Sequence, residues 1–125
     1  MYEVTITKTF SAAHFLNDVG GKCEELHGHN FKVAVTVSGS NLNSAGLLVD
    51  FREIKGWLKK IIESMDHQYL NELTQFTGVN PSSENIARYI CRELEPQAKS
   101  AKLKIARIKV WESQNAVVSY IPEKG

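Results

Sequence analysis

The sequence predicts an α+β fold with strands at both ends of the chain and two helices between them. Three patterns carry this prediction. Apolar and polar residues alternate along two N-terminal segments, recur at helical spacing through the middle of the chain, and alternate again before the C-terminus. The element order is therefore β-β-α-α-β-β. No internal repeat or low-complexity linker interrupts it, so we expect one domain over residues 1–125.

The N-terminal part of the chain predicts a β-hairpin. A first strand of alternating apolar and polar residues covers residues 2–10 and delivers His14 at its far end. A glycine-containing loop follows at residues 17–21, and a second alternating strand covers residues 31–38. If the two strands pair antiparallel, the end of the first lies beside the start of the second.

Two helices are predicted in the middle of the chain. The first runs from Phe51 to Met65 with Asp50 as its N-cap. The second begins at Ser82 or Ser83, and Pro96 is expected to end it. The apolar stripe of the first helix consists of Phe51, Ile54, Leu58, Ile61 and Met65.

The C-terminal part of the chain predicts two more strands, over residues 103–112 and 116–121. The alternation of apolar residues slips by one position between Ile105 and Ala106. Such a slip is typical of a β-bulge, in which one strand carries an extra residue.

Composition excludes several classes of function. Lys and Arg number 15 and Asp and Glu number 14, so the net charge of +1 gives no support for binding to nucleic acid or to a membrane surface. No apolar run approaches the ~20 residues of a membrane-spanning helix. The first residues lack the layout of a signal peptide, so we expect a cytoplasmic protein in which Cys23 and Cys91 do not form a disulfide.

The densest group of metal-binding residue types lies between Cys23 and Asn30. His27 and His29 are two residues apart, so in an extended chain they project from one face. The hairpin geometry brings His14 beside them. Three histidines with one open position are a known arrangement for catalytic Zn²⁺, which can act there as a Lewis acid. The alternative is three ordinary histidines, which this clustering disfavours.

Cys23 has three possible roles on the sequence pattern alone. It could be a fourth zinc ligand, which would close the site and make it structural. It could be a base or nucleophile whose pKa is lowered by the nearby cation. It could also be a small buried hydrophobic residue, although its charged neighbours argue against that.

Two further positions carry possible chemistry. Asp66 and His67 stand where the first helix stops, and a carboxylate beside an imidazole can form a proton relay. The plainer reading is a histidine favoured by the helix dipole. Glu112 ends an apolar strand and could anchor a ligand with adjacent N–H donors, or it could be a solvated strand end. Glu84 lies in a helical first turn, where an acidic residue complements the dipole.

Five motifs occur in the order seen in the 6-pyruvoyltetrahydropterin synthase superfamily, which the chain resembles over nearly its whole length. The interval of three residues between Cys23 and His27 resembles the carboxy-forming branch of that superfamily. The motifs are Phe10-Ser11-Ala12-Ala13-His14, Cys23 with His27-Gly28-His29-Asn30, Asp66-His67, Pro81-Ser82-Ser83-Glu84-Asn85 and Val110-Trp111-Glu112.

The resemblance implies the tunnelling fold (T-fold), a four-stranded antiparallel sheet with two helices on one face. Three subunits would join their sheets into a barrel, and two rings would stack into a homohexamer with active sites between subunits. The implied reaction is zinc-dependent conversion of 7,8-dihydroneopterin triphosphate to 6-carboxy-5,6,7,8-tetrahydropterin, acetaldehyde and triphosphate. It belongs to the biosynthesis of 7-deazaguanine nucleosides such as queuosine.

The resemblance also implies a role for each motif residue. The three histidines would hold Zn²⁺, and Cys23 would be the general base of an open site. Asp66 and His67 would complete a proton relay from a neighbouring subunit. The pterin ring would be anchored by Glu112 with help from Ser82, Ser83 and Glu84, although the family often has threonine at the two serine positions.

Two alternatives to this activity remain. One is the pyruvoyl-forming elimination of triphosphate, against which the interval between Cys23 and His27 argues. The other is a non-catalytic protein with a closed site of three histidines and a cysteine. The substitution Cys23→Ala separates the enzyme from the closed site. The enzyme would keep its metal and lose turnover, whereas the closed site would lose its metal.

Overall fold

The computed structural model describes residues 1–123 of the 125-residue chain, and the side chains of Lys22 and Cys23 fall outside the described part. Two long strands open the chain and two strands close it, as the sequence predicts. The elements are β1 (Tyr2–His14), β2 (His27–Gly39), α1 (Phe51–Glu63), β3 (Gln68–Tyr69), α2 (Ser83–Ser100), β4 (Lys104–Ser113) and β5 (Ala116–Tyr120).

The strands form one sheet in the order β3-β1-β2-β4-β5. The four long strands are antiparallel, which confirms the predicted α+β class and its four-stranded sheet. The sheet is nevertheless mixed, because β3 pairs parallel with β1 opposite Ala12 and Ala13. The sequence analysis missed this two-residue strand, since it is too short to show any alternation.

The register of the β1–β2 hairpin decides which side chains share a face. Pairing runs from Tyr2 opposite Gly39 to His14 opposite His27. Phe10 lies opposite Phe31, and their rings stack with centroids 5.0 Å apart. Both phenylalanines are buried, so this face of the hairpin is the one that packs into the core. The histidines at the hairpin end lie on the same face, because even numbers of positions separate them from the phenylalanine of their own strand.

The predicted bulge lies in β4. Thr36 pairs with Arg107 and Val37 pairs with Ile105, which leaves Ala106 without a partner on β2. The extra residue restores the inward orientation of Ile108 and Val110, both fully buried. Glu112 follows Val110 by two residues and therefore lies on the inner face as well.

Helix α1 begins as predicted, since the Asp50 carboxylate accepts a hydrogen bond of 2.8 Å from the Arg52 amide. Ile54 and Leu58 are fully buried. The prediction that Phe51 belongs to the core is wrong, because 57% of this residue is exposed. Periodicity assigns a residue to a helix face but does not show whether another element covers that turn.

Helix α2 continues past Pro96 to Ser100, so the prediction that Pro96 ends it is wrong. A proline inside a helix removes one hydrogen bond and costs about 3 kcal/mol. The residues on either side offset this cost, since Leu94 and Ala98 are both buried in the core. Within residues 1–123, no helix has the length and apolar character that a membrane crossing requires.

Two phenylalanines at contrasting positions test this description of the core. Phe31→Ala removes a fully buried ring and should lower the free energy of unfolding by about 3–5 kcal/mol. Phe51→Ala removes an exposed ring and should change it by about 0.5 kcal/mol. Denaturant unfolding at one protein concentration measures both, and a large loss in Phe51→Ala would show that α1 packs differently.

Candidate metal centre

Three imidazoles meet at the end of the β1–β2 hairpin. His14 lies directly opposite His27, and His29 lies opposite Ala12, one step along the same face. The ring centroids of His14 and His27, and those of His27 and His29, are 4.6 Å apart. His14 is fully buried, whereas the side chains of His27 and His29 are 27% and 25% exposed. The cluster is thus fixed at its base and open at its outer side.

The carboxylate of Glu112 is the fourth member of the cluster. Its Oε1 atom lies 3.0 Å from Nε2 of His14, 3.1 Å from Nε2 of His29 and 3.9 Å from Nε2 of His27. One ligand atom from each of the four residues lies within 4.8 Å of the others, a spacing that could hold one metal ion. The sequence analysis placed Glu112 at a strand end and did not predict this contact. After the bulge, Ile108, Val110 and Glu112 are two residues apart and therefore share a face. This spacing could have predicted the contact of Glu112 with the histidines.

Backbone carbonyls orient two of the imidazoles. Nδ1 of His14 donates to the carbonyl of Pro81 over 2.7 Å, and Nδ1 of His27 donates to the carbonyl of Glu25 over 2.7 Å. A carbonyl oxygen only accepts, so each Nδ1 carries a proton and each Nε2 faces the cluster. This is the outer-shell arrangement that metal-binding histidines use. Neither carbonyl is visible as a motif in the sequence.

The third imidazole shows why a cation fits. Nε2 of His29 is buried and has no hydrogen-bond partner among the described residues, although Oε1 of Glu112 is only 3.1 Å away. Burial lowers the pKa of His29, and His14 and His27 act in the same direction against the attraction of Glu112. This ring nitrogen thus points into the cluster without a hydrogen bond. A metal ion bound to this nitrogen would give it a partner, and three imidazole nitrogens with an open fourth position suit Zn²⁺.

Cys23 lies in the loop between the paired histidines. Its backbone belongs to a short 3-10 turn, Gly21–Glu24, shortly before His27 begins β2. Its side chain is outside the described part of the structure. The two roles predicted for this thiol, metal ligand and general base, therefore both stay predictions.

Asp66 and His67 lie outside the cluster, at the edge of β1. The Ser11 amide donates to Oδ1 of Asp66 over 2.9 Å, and this bond lowers the pKa of the Asp66 carboxyl. Nδ1 of His67 lies 3.1 Å from the same oxygen, and 81% of the His67 side chain is exposed. The backbone of His67 is left-handed, with φ of 59°, which is unfavourable for a residue with a side chain. Within one chain, this pair is turned to solvent.

The start of α2 adjoins the cluster through Pro81, whose carbonyl binds His14. Ser82 is the N-cap and accepts a hydrogen bond of 3.1 Å from the Asn85 amide, so part of its hydrogen-bonding capacity serves the helix. Ser83 is buried, and its hydroxyl finds no partner among the described residues. Glu84 is exposed in the first turn. Of the predicted substrate-binding residues at the start of α2, Ser83 is the one with a buried polar atom that has no partner among the described residues.

Two histidines in different settings test the metal centre. His29→Ala removes a cluster nitrogen and should weaken Zn²⁺ binding by more than the roughly 10- to 100-fold cost of losing an outer-shell partner. His67→Ala removes an exposed imidazole outside the cluster and should leave the affinity unchanged. Calorimetric titration with Zn²⁺ measures both. Equal affinities for the two variants would exclude His29 as a ligand.

Comparisons with known proteins bear on the family of this chain. The sequence profile of the 6-pyruvoyl tetrahydropterin synthase family matches residues 3–123. A 6-carboxy-5,6,7,8-tetrahydropterin synthase from Haemophilus influenzae is 30% identical, over 96% of this chain and 99% of that protein. The human 6-pyruvoyl tetrahydrobiopterin synthase is 32% identical, over 90% of this chain and 86% of that protein. The structure of Caenorhabditis elegans 6-pyruvoyl tetrahydropterin synthase shares the fold, with a TM-score of 0.85, 24% identity and 98% coverage of each chain. The chain belongs to the 6-pyruvoyl tetrahydropterin synthase family of enzymes.

Proposed function

We propose that this enzyme is a zinc-dependent lyase that converts 7,8-dihydroneopterin triphosphate to 6-carboxy-5,6,7,8-tetrahydropterin, acetaldehyde and triphosphate. The observation that carries the proposal is the convergence of three imidazole nitrogens and one carboxylate at the start of α2. Relatives with either product name have about the same identity to this chain, so overall identity does not select the branch. The interval of three residues between Cys23 and His27 favours the carboxy-forming reaction.

The histidines would hold the metal in a fixed orientation. Zn²⁺ bound to His14, His27 and His29 would supply Lewis-acid chemistry that makes the side-chain hydroxyls of the substrate more acidic. The burial of His14 and its bond to the Pro81 carbonyl limit movement of this ring. The rings of His27 and His29, each about a quarter exposed, leave the outer side of the site accessible to a substrate.

Glu112 would bind the pterin ring and bring its side chain to the metal. An ionised carboxylate accepts hydrogen bonds from two adjacent N–H groups, which a pterin ring presents along one edge. The same carboxylate lies within about 3 Å of two histidines, so a ring bound there is within reach of the metal. Ser82, Ser83 and Glu84 would support the ring from the start of α2, where free amides are also available. The unused hydroxyl of Ser83 is the best supported of these contacts.

Cys23 would accept a proton from the substrate, with Asp66 and His67 as a relay. Because the Asp66–His67 pair faces solvent within one chain, we propose that it serves the site of a neighbouring subunit. A homohexamer of two stacked trimers would supply that neighbour. The exposed edge of β5 supports such an assembly, since pairing between subunits would cover it.

We further propose that the whole chain acts as one domain in the cytoplasm, on the pathway to queuosine or another 7-deazaguanine nucleoside. The runner-up activity is the pyruvoyl-forming elimination of triphosphate from the same substrate. The alternative in which the protein is not an enzyme is a closed metal site formed by three histidines and Cys23.

A product assay with a matched pair of cysteine variants tests the activity. Zinc-loaded wild type given 7,8-dihydroneopterin triphosphate should release acetaldehyde and 6-carboxytetrahydropterin. Cys23→Ala should keep its metal and lose turnover by at least about 100-fold, as expected for loss of a general base. Cys91→Ala should stay active, because Cys91 is buried in the core and burial raises its pKa to about 12.

Each contrary result of this assay has one meaning. A pyruvoyl product would move the enzyme to the sister branch. Loss of zinc from Cys23→Ala would support the closed structural site. A wild type that binds zinc and forms no product would contradict the proposed substrate.

The role of Glu112 is tested by Glu112→Gln, which keeps the shape of the side chain and removes its charge. If Glu112 anchors the pterin, KM should rise by roughly 10- to 100-fold, because hydrogen bonds to a charged group contribute about 1.5–3 kcal/mol. Zinc affinity should stay within about threefold of wild type. Glu53→Gln, at an exposed position in the first turn of α1, should change KM little. A large loss of zinc with Glu112→Gln would instead identify Glu112 as a ligand.

A further inference from the structure

Two asparagine side chains hold the segment that follows β1. Each one forms hydrogen bonds with the backbone of that segment, as a neighbouring strand would. The Phe15 amide donates to Oδ1 of Asn71 over 2.9 Å, and Nδ2 of Asn71 donates to the Phe15 carbonyl over 3.0 Å. The Asn17 amide donates to Oδ1 of Asn80 over 2.9 Å, and Nδ2 of Asn80 donates to the Asn17 carbonyl over 2.9 Å. Each side-chain amide thus satisfies both polar groups of one backbone residue.

The Asn80 clamp connects directly to the metal centre. The next residue is Pro81, whose carbonyl accepts the Nδ1 proton of His14. The carbonyl of Asn80 itself accepts a bond of 2.8 Å from Nδ2 of Asn85, in the first turn of α2. Asn80 is therefore tied to α2 through its own carbonyl and to Asn17 through its side chain. Its neighbour Pro81 makes the contact with the histidine cluster.

Asn17 stands at the start of the loop that carries Cys23. Beyond it the backbone turns through three left-handed residues, Asp18, Gly20 and Gly21, with φ of 65°, 73° and 66°. The short 3-10 turn with Cys23 follows, and the loop ends at His27, which is held in β2 opposite His14. The loop is thus anchored at both ends to the same histidine cluster, through Asn80 at its start and through the hairpin at its end.

We propose that Asn80 is a positioning residue that sets the loop carrying Cys23 relative to the metal centre. This inference rests on the proposed function, in which the Cys23 thiol acts on a substrate held by the histidines and Glu112. Without the clamp, the loop start would lose its bonds to Asn80, and the backbone that carries Cys23 would be held less firmly relative to the metal centre. The substrate contacts at Glu112 and α2 would remain. The expected signature is therefore a fall in kcat with little change in KM or in zinc content.

The test compares Asn80→Ala with Asn71→Ala and Asn115→Ala in the zinc-loaded protein. Asn80→Ala should lower kcat by about 10- to 100-fold, the size of effect that misplacement of a reacting group by about 1 Å produces. Its KM and zinc content should stay within about threefold of wild type. Asn71→Ala removes the same two kinds of bond away from Pro81 and should lower kcat much less. Asn115→Ala, at an exposed turn, should behave as wild type.

Asn80→Asp separates the two bonds of the clamp. The carboxylate can still accept from the Asn17 amide but has no proton to donate to the Asn17 carbonyl. It should therefore lower kcat in the same direction as Asn80→Ala. Wild-type activity in both variants, or equal losses in Asn80→Ala and Asn71→Ala, would overturn the proposed coupling.

A second measurement needs no substrate and separates this inference from the proposed function. Amide hydrogen exchange of the zinc-loaded protein should be about tenfold faster over residues 18–26 in Asn80→Ala, and unchanged over the buried part of β2. Unchanged exchange over the loop would overturn the inference even if the wild type is active. Faster loop exchange in a protein without turnover would support the clamp and contradict the proposed substrate.

Discussion

The register of the β1–β2 hairpin is the constraint on which the rest of the structure depends. His14 and His27 share a face with the stacked pair of Phe10 and Phe31, so core packing and site geometry are set by one alignment. A slip of one residue would turn all of these side chains to the opposite face. The loss of the buried phenylalanine contacts makes such a slip costly. The core thus keeps the imidazoles together even though they contribute little apolar burial.

Assembly of the cluster lowers the free energy of unfolding until its polar atoms have partners. Three imidazoles and a carboxylate crowd into a partly buried site, and Nε2 of His29 has no hydrogen-bond partner among the described residues. Burial of unmatched polar groups costs free energy, which the rest of the hairpin must offset. The bonds of His14 and His27 to backbone carbonyls direct the Nε2 atoms of both rings into the cluster. The unmatched polar atoms that make the site costly to assemble are therefore also the atoms that suit it to bind a cation.

Local patterns in the sequence predicted the elements and the meeting of the three histidines. Alternation and helical spacing depend on near neighbours, so the hairpin, the Asp50 cap and the bulge at Ala106 could be read from them. Long-range contacts could not. Glu112 joins His14 across 98 positions, and Pro81 joins it across 67. The exposure of Phe51 and the continuation of α2 through Pro96 also depend on what covers a helix, which no local pattern contains.

The separation of Asp66 and His67 from the cluster bears on how the proposed site would be completed. The pair is fixed to β1 by the Ser11 amide and by the bond from the His67 amide to the Ser11 carbonyl, 2.6 Å long. These bonds, together with the left-handed backbone of His67, hold the imidazole outward at the sheet edge. A backbone conformation that is locally unfavourable persists only where surrounding bonds impose it. In the proposed assembly, an outward histidine held in this way would act on the metal centre of a neighbouring subunit. If strands of adjacent subunits pair along the open edges of the sheet, the contact that covers those edges would also bring a proton relay to each metal centre.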